Sequence, residues 1–190
     1  MLKIYIPRDY NYQERKYIID TIFHVFLELP YEIYTQENLW HYKIVLPNGN
    51  ILVIEDGFWK NFSKPLQYLD SKNVPSDIKK EVDIFGECIP IIYGTDKISL
   101  FENDKYKQFT LGVDLFASCF FMLSRWEEYV NSKKDIHDRF SGLNSLAYKK
   151  GFIEKPIVNQ YVEILWKILK FLGINYERKK EVLFLILHTV

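Results

Sequence analysis

The sequence predicts a mixed α/β (α+β) domain, a central and mostly β sheet packed by helices, and three observations carry that expectation. Apolar residues recur at helical spacing in three separate stretches, near 12–29, 114–131 and 158–172. Before and between them lie short runs that alternate or stay continuously apolar, as strands do. At Asn48-Gly49 two such runs meet at a strong hairpin dipeptide, because both residues tolerate positive φ.

Taken in order, "LKIYIP" reads as an opening strand ended by Pro7. Asn11 follows as an N-cap, with Glu14 in the capping-box position. Ile18, Ile19, Ile22, Phe23, Phe26 and Leu29 then line one face of a helix that Pro30 ends; His24 within it reads as a packing residue. "YEIYT" and "HYKIVLPNGNILVIED" are strands, the second folded into a hairpin over 42–55, with His41 and Asp56 as polar candidates near its ends. Residues 57–88 suggest short helical turns broken by Pro65 and Pro75, "IPIIYG" at 89–94 a buried strand, and 95–110 a polar connection. After Pro156 a helix turns Tyr161, Leu165, Ile168, Leu169 and Leu172 inward and stops at Gly173. "VLFLIL" closes the chain as a strand covered on both faces.

Composition narrows the function classes. The 190 residues suit one domain with at most a short piece of another. Lys+Arg and Asp+Glu both number 25, so nothing draws the chain toward nucleic acid or anionic lipid. Cys88 and Cys119 form no CxxC pattern, so neither a zinc site nor a disulfide framework is expected. The first residues meet charge too soon for a signal peptide, and the apolar stretch around Leu115 to Leu123 is too short to span a bilayer. The expectation is a soluble cytoplasmic protein without nucleic-acid or membrane partners, with homo-oligomerisation left open. Its 14 Tyr, 14 Phe and 4 Trp belong first to a core and second to a stacking surface.

The stretch "DLFASCFFMLSRWEEYV", Asp114 to Val130, raises the site question. Projected on a continuous helix, Asp114, Ser118, Arg125, Glu128 and Ser132 fall within about 80° with Phe121 among them, which reads as the wetter face. Arg125 and Glu128 are i,i+3 partners on it. Glu127 instead projects among Phe116, Phe120, Leu123 and Val130. A carboxylate there needs a partner, and His137 or Arg139 in "KDIHDRF" is expected to anchor it by an ion pair, pinning the long segment 131–157. Trp126, His137, Arg139 and Phe140 are expected at any surface that segment builds.

"DLFASCFFMLSRWEEYV", followed by "DIHDRFSGLNSLAYKKGFIEKPIVNQYVEILWKIL", resembles the N-terminal region of bacterial polysaccharide deacetylase family proteins, relatives of carbohydrate esterase family 4. "KIYIP…ERKYIIDTIF" and "IPIIYG" extend the likeness over essentially the whole chain. The resemblance implies that residues 1–180 form an accessory domain of unassigned function and that 181–190 begin a deacetylase barrel. That barrel would be a partner in cis, with a His-Asp-Val-Asp motif, a divalent metal and a general base. Here the chain ends His188-Thr189-Val190 without either Asp. No catalytic residue, metal ligand or cofactor is therefore assigned within it.

Three readings follow. In the first, a non-catalytic accessory domain assists polysaccharide binding, with Trp40, Trp59 and Trp126 as stacking candidates and Arg125, Trp126, Glu127, Glu128, His137 and Arg139 as candidate binding or anchoring residues. An exposed Trp beside Asp or Glu in a groove supports this reading. In the second, the domain is purely structural or dimerising. In the third, Asp56, Glu127, Glu128 and His137 form a divalent-metal hydrolase site.

Overall fold

The computed structural model describes residues 1–78, 81–137 and 139–178. Its centre is a six-stranded mixed sheet in the order β2-β1-β3-β4-β8-β7. The strands are β1 (Leu2–Pro7), β2 (Tyr31–Gln36), β3 (His41–Val45), β4 (Ile51–Glu55), β7 (Gly94–Glu102) and β8 (Lys107–Val113). A separate two-stranded ladder joins β5 (Glu81–Ile84) to β6 (Glu87–Pro90). Strands β1, β2, β4 and β8 run one way, and β3 and β7 run the other. Four carboxyl ends therefore lie along one edge of the sheet, the usual place for a crevice in open α/β folds.

The side-chain period of two decides which face is covered. Ile4, Ile44, Leu52 and Phe109 stand in register across β1, β3, β4 and β8, and all are buried. Lys3, Tyr5, Lys43 and Val53 alternate with them and stay at least partly exposed. The described helices pack on the first face. They are α1 (Tyr12–Asp20), α2 (Leu115–Ser124), α3 (Trp126–Val130), α4 (Leu146–Lys149) and α5 (Ile157–Phe171). Helix α2 is apolar on all sides and is buried from Leu115 to Phe121, as such a helix must be. The Phe116 ring seats on Tyr42 at 4.7 Å.

Several local expectations change in three dimensions. The first helix is α-helical only to Asp20 and continues as a wider π-helical turn over Thr21–Phe26. Asn11 precedes that helix without a side-chain cap; its amide is buried with both polar atoms unpartnered. The Asn11 N–H itself donates to Asp9 (2.8 Å). "IPIIYG" is not one buried strand: Ile89 and Pro90 end β6, Gly94 opens β7, and Ile91 and Ile92 are buried between them. The supposed polar connection forms most of the β7–β8 hairpin, missed because edge strand β7 keeps its apolar residues largely exposed.

The hairpin over 42–55 forms with Gly49 at φ +87°, and it caps a helix as well. Asn48 and Asn50 each donate a side-chain hydrogen bond, both of 2.8 Å, to the Leu172 carbonyl beyond α5. The "VLFLIL" run and the expected second domain at 181–190 lie outside the described residues.

Candidate functional site

At the carboxyl edge of the sheet an open cleft of about 650 Å3 is lined by the segments that leave the strands. Arg8, Asp9 and Tyr10 follow β1, Glu37 to Leu39 follow β2, Trp40 precedes β3, and Asp56 follows β4. Lys60, Phe62 and Ser63 form the opposite wall. Leu39 is buried and roots its segment, while Trp40 is 70% and Tyr10 64% exposed.

Beneath the cleft lies a buried ionic cluster. Arg15 on α1 is fully buried. Its Nη2 donates to Asp56 (2.7 Å) and to Asp9, its Nε donates to Asp9 (3.3 Å), and its Nη1 donates to the Tyr42 hydroxyl. The guanidinium also lies over the rings of Tyr42 (5.1 Å) and Trp59 (5.2 Å). Burial opposes its charge, but Tyr42, Asp56 and Asp9 more than compensate and raise its pKa above the ordinary arginine value. A planar fork can hold two carboxylates and a hydroxyl at once, which a lysine cannot. Arg15 thereby joins the end of β1 to the end of β4 and aligns two carboxylates along the cleft.

Asp114 completes the cluster from the end of β8. It is fully buried, accepting the Ala117 N–H (2.9 Å) as the N-cap of α2 and the Gly57 N–H (2.8 Å) across the sheet edge. Burial, reinforced by Asp56, pushes its carboxyl up to about 7, against the pull of the two N–H donors and Arg15. Gly57 is required there: a Cβ would come within 2.6 Å of the Gly94 nitrogen.

These positions correct the wet-face projection. Asp114 and Ser118 are wholly buried, and Ser118 Oγ accepts the Tyr93 N–H (3.3 Å). The helix also breaks at Arg125, a left-handed residue (φ +53°) between α2 and α3. The exposed Arg125 pairs with Glu128 as the spacing implied. Trp126 is no surface residue: it is buried against Phe58, Tyr68 and Phe121, and Trp59 is buried as well. Of the three stacking candidates, Trp40 alone is open to solvent.

Glu127 does tie down the segment that follows, but not by an ion pair with His137 or Arg139. Its carboxylate accepts the Leu146 N–H (2.8 Å) at the start of α4. Arg139 pairs with Asp135, and His137 is exposed with its backbone N–H donating to Asp135. A backbone N–H in the first helical turn lacks an intrahelical partner and serves as well as a cation. Burial pushes the Glu127 carboxyl up, with Leu146 and Lys149 opposing. Glu127→Ala is expected to cost about 1–3 kcal/mol by orphaning that N–H, and Glu127→Gln less than about 1, since an amide oxygen still accepts. Thermal melts, with amide exchange at Leu146, check both.

The metal-hydrolase grouping is not assembled. Asp56 contacts Arg15, Glu127 contacts Leu146, and among the described residues no three His, Cys, Asp or Glu side chains could hold a metal ion. No helix among them is long and apolar enough to cross a membrane. The cleft and its ionic floor were only partly legible beforehand: Asp56 was a candidate, whereas Asp9 and Arg15 gave no spacing signal.

Fold and site together define a two-layer α/β domain with an aromatic-flanked cleft at the carboxyl edge of its sheet. The chain belongs to a family of unknown function, DUF7033, whose profile matches residues 2–173. Neither a curated protein nor a solved structure matches it.

Proposed function

We infer that this is a non-catalytic glycan-binding accessory domain whose site is the cleft at the carboxyl edge of the sheet. One observation carries the reading: the exposed Trp40 indole shares a groove of ligand size with the carboxylates of Asp9 and Glu37. Sugar rings present apolar C–H faces to stack on an aromatic ring and hydroxyls to donate to carboxylates. Trp40 and Tyr10 supply rings, and Asn38 and the carboxylates supply polar partners. Arg8 pairs with Glu37, Arg15 pairs with Asp9 and Asp56, and Lys60 adds one more cation. Three positive groups thus meet three negative ones, which suits an uncharged polyhydroxylated ligand better than a polyanion. The resemblance of "SRWEEYV" and "SLAYKKGF" to polysaccharide deacetylase N-terminal regions supports a polysaccharide ligand and a deacetylase barrel as the partner it serves.

The test is calorimetric titration of the chain with neutral polysaccharides, repeated for Trp40→Ala. The substitution is expected to weaken binding by about tenfold or more, as loss of an interface aromatic anchor does. Stability should stay within about 0.5 kcal/mol because the ring is exposed. Equal binding by both proteins, or no binding by the parent chain, overturns the reading. A purely structural role is favoured by the burial of Trp59 and Trp126, and the second outcome would select it.

A further inference from the structure

The far wall of the cleft is the segment that follows β4, and two buried carboxylates hold it. Asp56 accepts the Phe58 N–H (3.2 Å) while ion-paired to Arg15. Asp114 accepts the Gly57 N–H, and three residues further on Lys60 enters the cleft. Arg15 hydrogen-bonds to Asp9 and Asp56 but not to Asp114, whose own hydrogen-bond donors are the backbone N–H groups of Gly57 and Ala117. Two carboxylates thus take the guanidinium's bonds, and the wholly buried Asp114 lies within reach of the Asp56 charge without bonding to the cation. A proton is the simplest relief for such an excess of negative charge.

We propose that Asp114 is a proton switch that sets how firmly the cleft wall is held, so that the binding site carries a built-in pH dependence. This rests on the cleft being the binding site, and it adds a regulation to that reading. An ionised Asp114 offers acceptors at both oxygens and holds the Gly57 and Ala117 N–H groups together. A proton on either oxygen turns it into a hydroxyl donor facing an N–H, and one tie is lost. The Ala117 tie caps a helix buried from Leu115 to Phe121, whereas Gly57 lies in a connecting segment, so the Gly57 tie is the one that yields.

The groups around Asp114 leave it this role. Asp56 faces it from the segment after β4, Arg15 from α1, Tyr42 from β3, Tyr93 from the segment before β7, Cys119 from α2 and Tyr161 from α5. Burial raises both Cys119 and the three tyrosines, and Arg15 stays protonated, so none of these five changes charge near neutrality. The sign is opposite to that of an ordinary ion-paired Asp. A carboxyl raised to about 7 stabilises the fold fully below its unfolded value, and that contribution is lost as pH rises toward and past 7. Raising the pH therefore tightens the local tie at Gly57 while lowering global stability.

The experiment is an NMR titration of the ligand-free chain, following the Gly57 and Ala117 amides and the Asp114 carboxyl carbon from about pH 5 to about pH 9. Expected is one shared midpoint within about a unit of 7, with the Gly57 amide proton moving downfield as pH rises. Asp114→Asn should abolish the transition. A flat Gly57 amide in the parent chain, or the same midpoint persisting in Asp114→Asn, overturns the proposal. If the variant does not fold, the carboxyl-carbon midpoint in the parent chain decides: a value in the ordinary Asp range refutes the switch. The titration needs no glycan, so its outcome is independent of the binding reading. Trp40→Ala tests the ligand and leaves the switch untouched.

Discussion

Arg15→Leu is expected to destabilise the protein by about 3–5 kcal/mol, the cost of leaving buried carboxylates without their cation. The side chain has no exposure, Asp56 has almost none, and the wholly buried Asp114 bonds to backbone N–H groups while also feeling the Arg15 charge. Leucine fills part of the volume but satisfies neither Asp9, Asp56 nor the Tyr42 hydroxyl. For a chain of this size the melting temperature should fall by about 10 °C, since each kcal/mol moves it by roughly 2–4 °C. Arg15→Lys should recover only part of the loss, because one ammonium cannot reproduce the fork that spans two strand ends. Adding Asp56→Asn to Arg15→Leu should recover part of the stability, as one stranded charge is then removed while Asp9 and the Tyr42 hydroxyl stay unpartnered. A melting temperature for Arg15→Leu within a few degrees of the parent would show that the cluster does not hold the sheet edge together.

Trp59→Ala carries the second large expectation, a loss of about 3–5 kcal/mol by cavity formation. Its indole is wholly buried, meets Phe120 at 5.3 Å and Phe58 at 5.8 Å, and roofs the Arg15 guanidinium. The loss should couple to Arg15: in a double-mutant cycle the two substitutions should cost less together than the sum of their separate effects, because they share one contact. Chemical denaturation of the four proteins measures this. Strict additivity would mean that the ring packs beside the cation without holding it. The comparison with Trp40→Ala separates two tryptophans of identical chemistry: one should change stability, the other only binding.

Much of the fold was open to reading from local pattern. The 3.6-residue period near 158–172 and the Asn48-Gly49 turn depend on neighbours in sequence, so they predicted α5 and the β3–β4 hairpin directly. Strands β5 to β8 were harder. The exposed edge strand β7 lacks a clear apolar alternation, and Pro90 ends a strand that the run Ile89 to Ile92 seemed to continue. The projection of 114–131 went astray at Asp114 and Ser118 because it could not see the backbone N–H groups of Gly57, Ala117 and Tyr93 that these buried side chains accept; the left-handed Arg125 also ends the single helix it assumed. Even so, Glu127 was rightly singled out as a carboxylate in need of a partner. Its partner is a backbone N–H, which no side-chain pattern announces.

The site divides along the same line. Alternation and helical periodicity are properties of the chain itself, so the amino-acid order determined a mixed α/β domain, a sheet packed by helices, with a large aromatic core. It also determined an even charge balance, with Lys+Arg and Asp+Glu both 25. Tertiary structure alone decided that Asp9, Arg15, Asp56 and Asp114, scattered over more than a hundred residues, meet at one sheet edge. It decided too that Trp40 stays in solvent while Trp59 and Trp126 do not. The physical reason is that burial and ion pairing depend on which strand ends become neighbours. Strand order is set by long-range pairing of β1 with β3 and of β4 with β8, not by any residue's local preference.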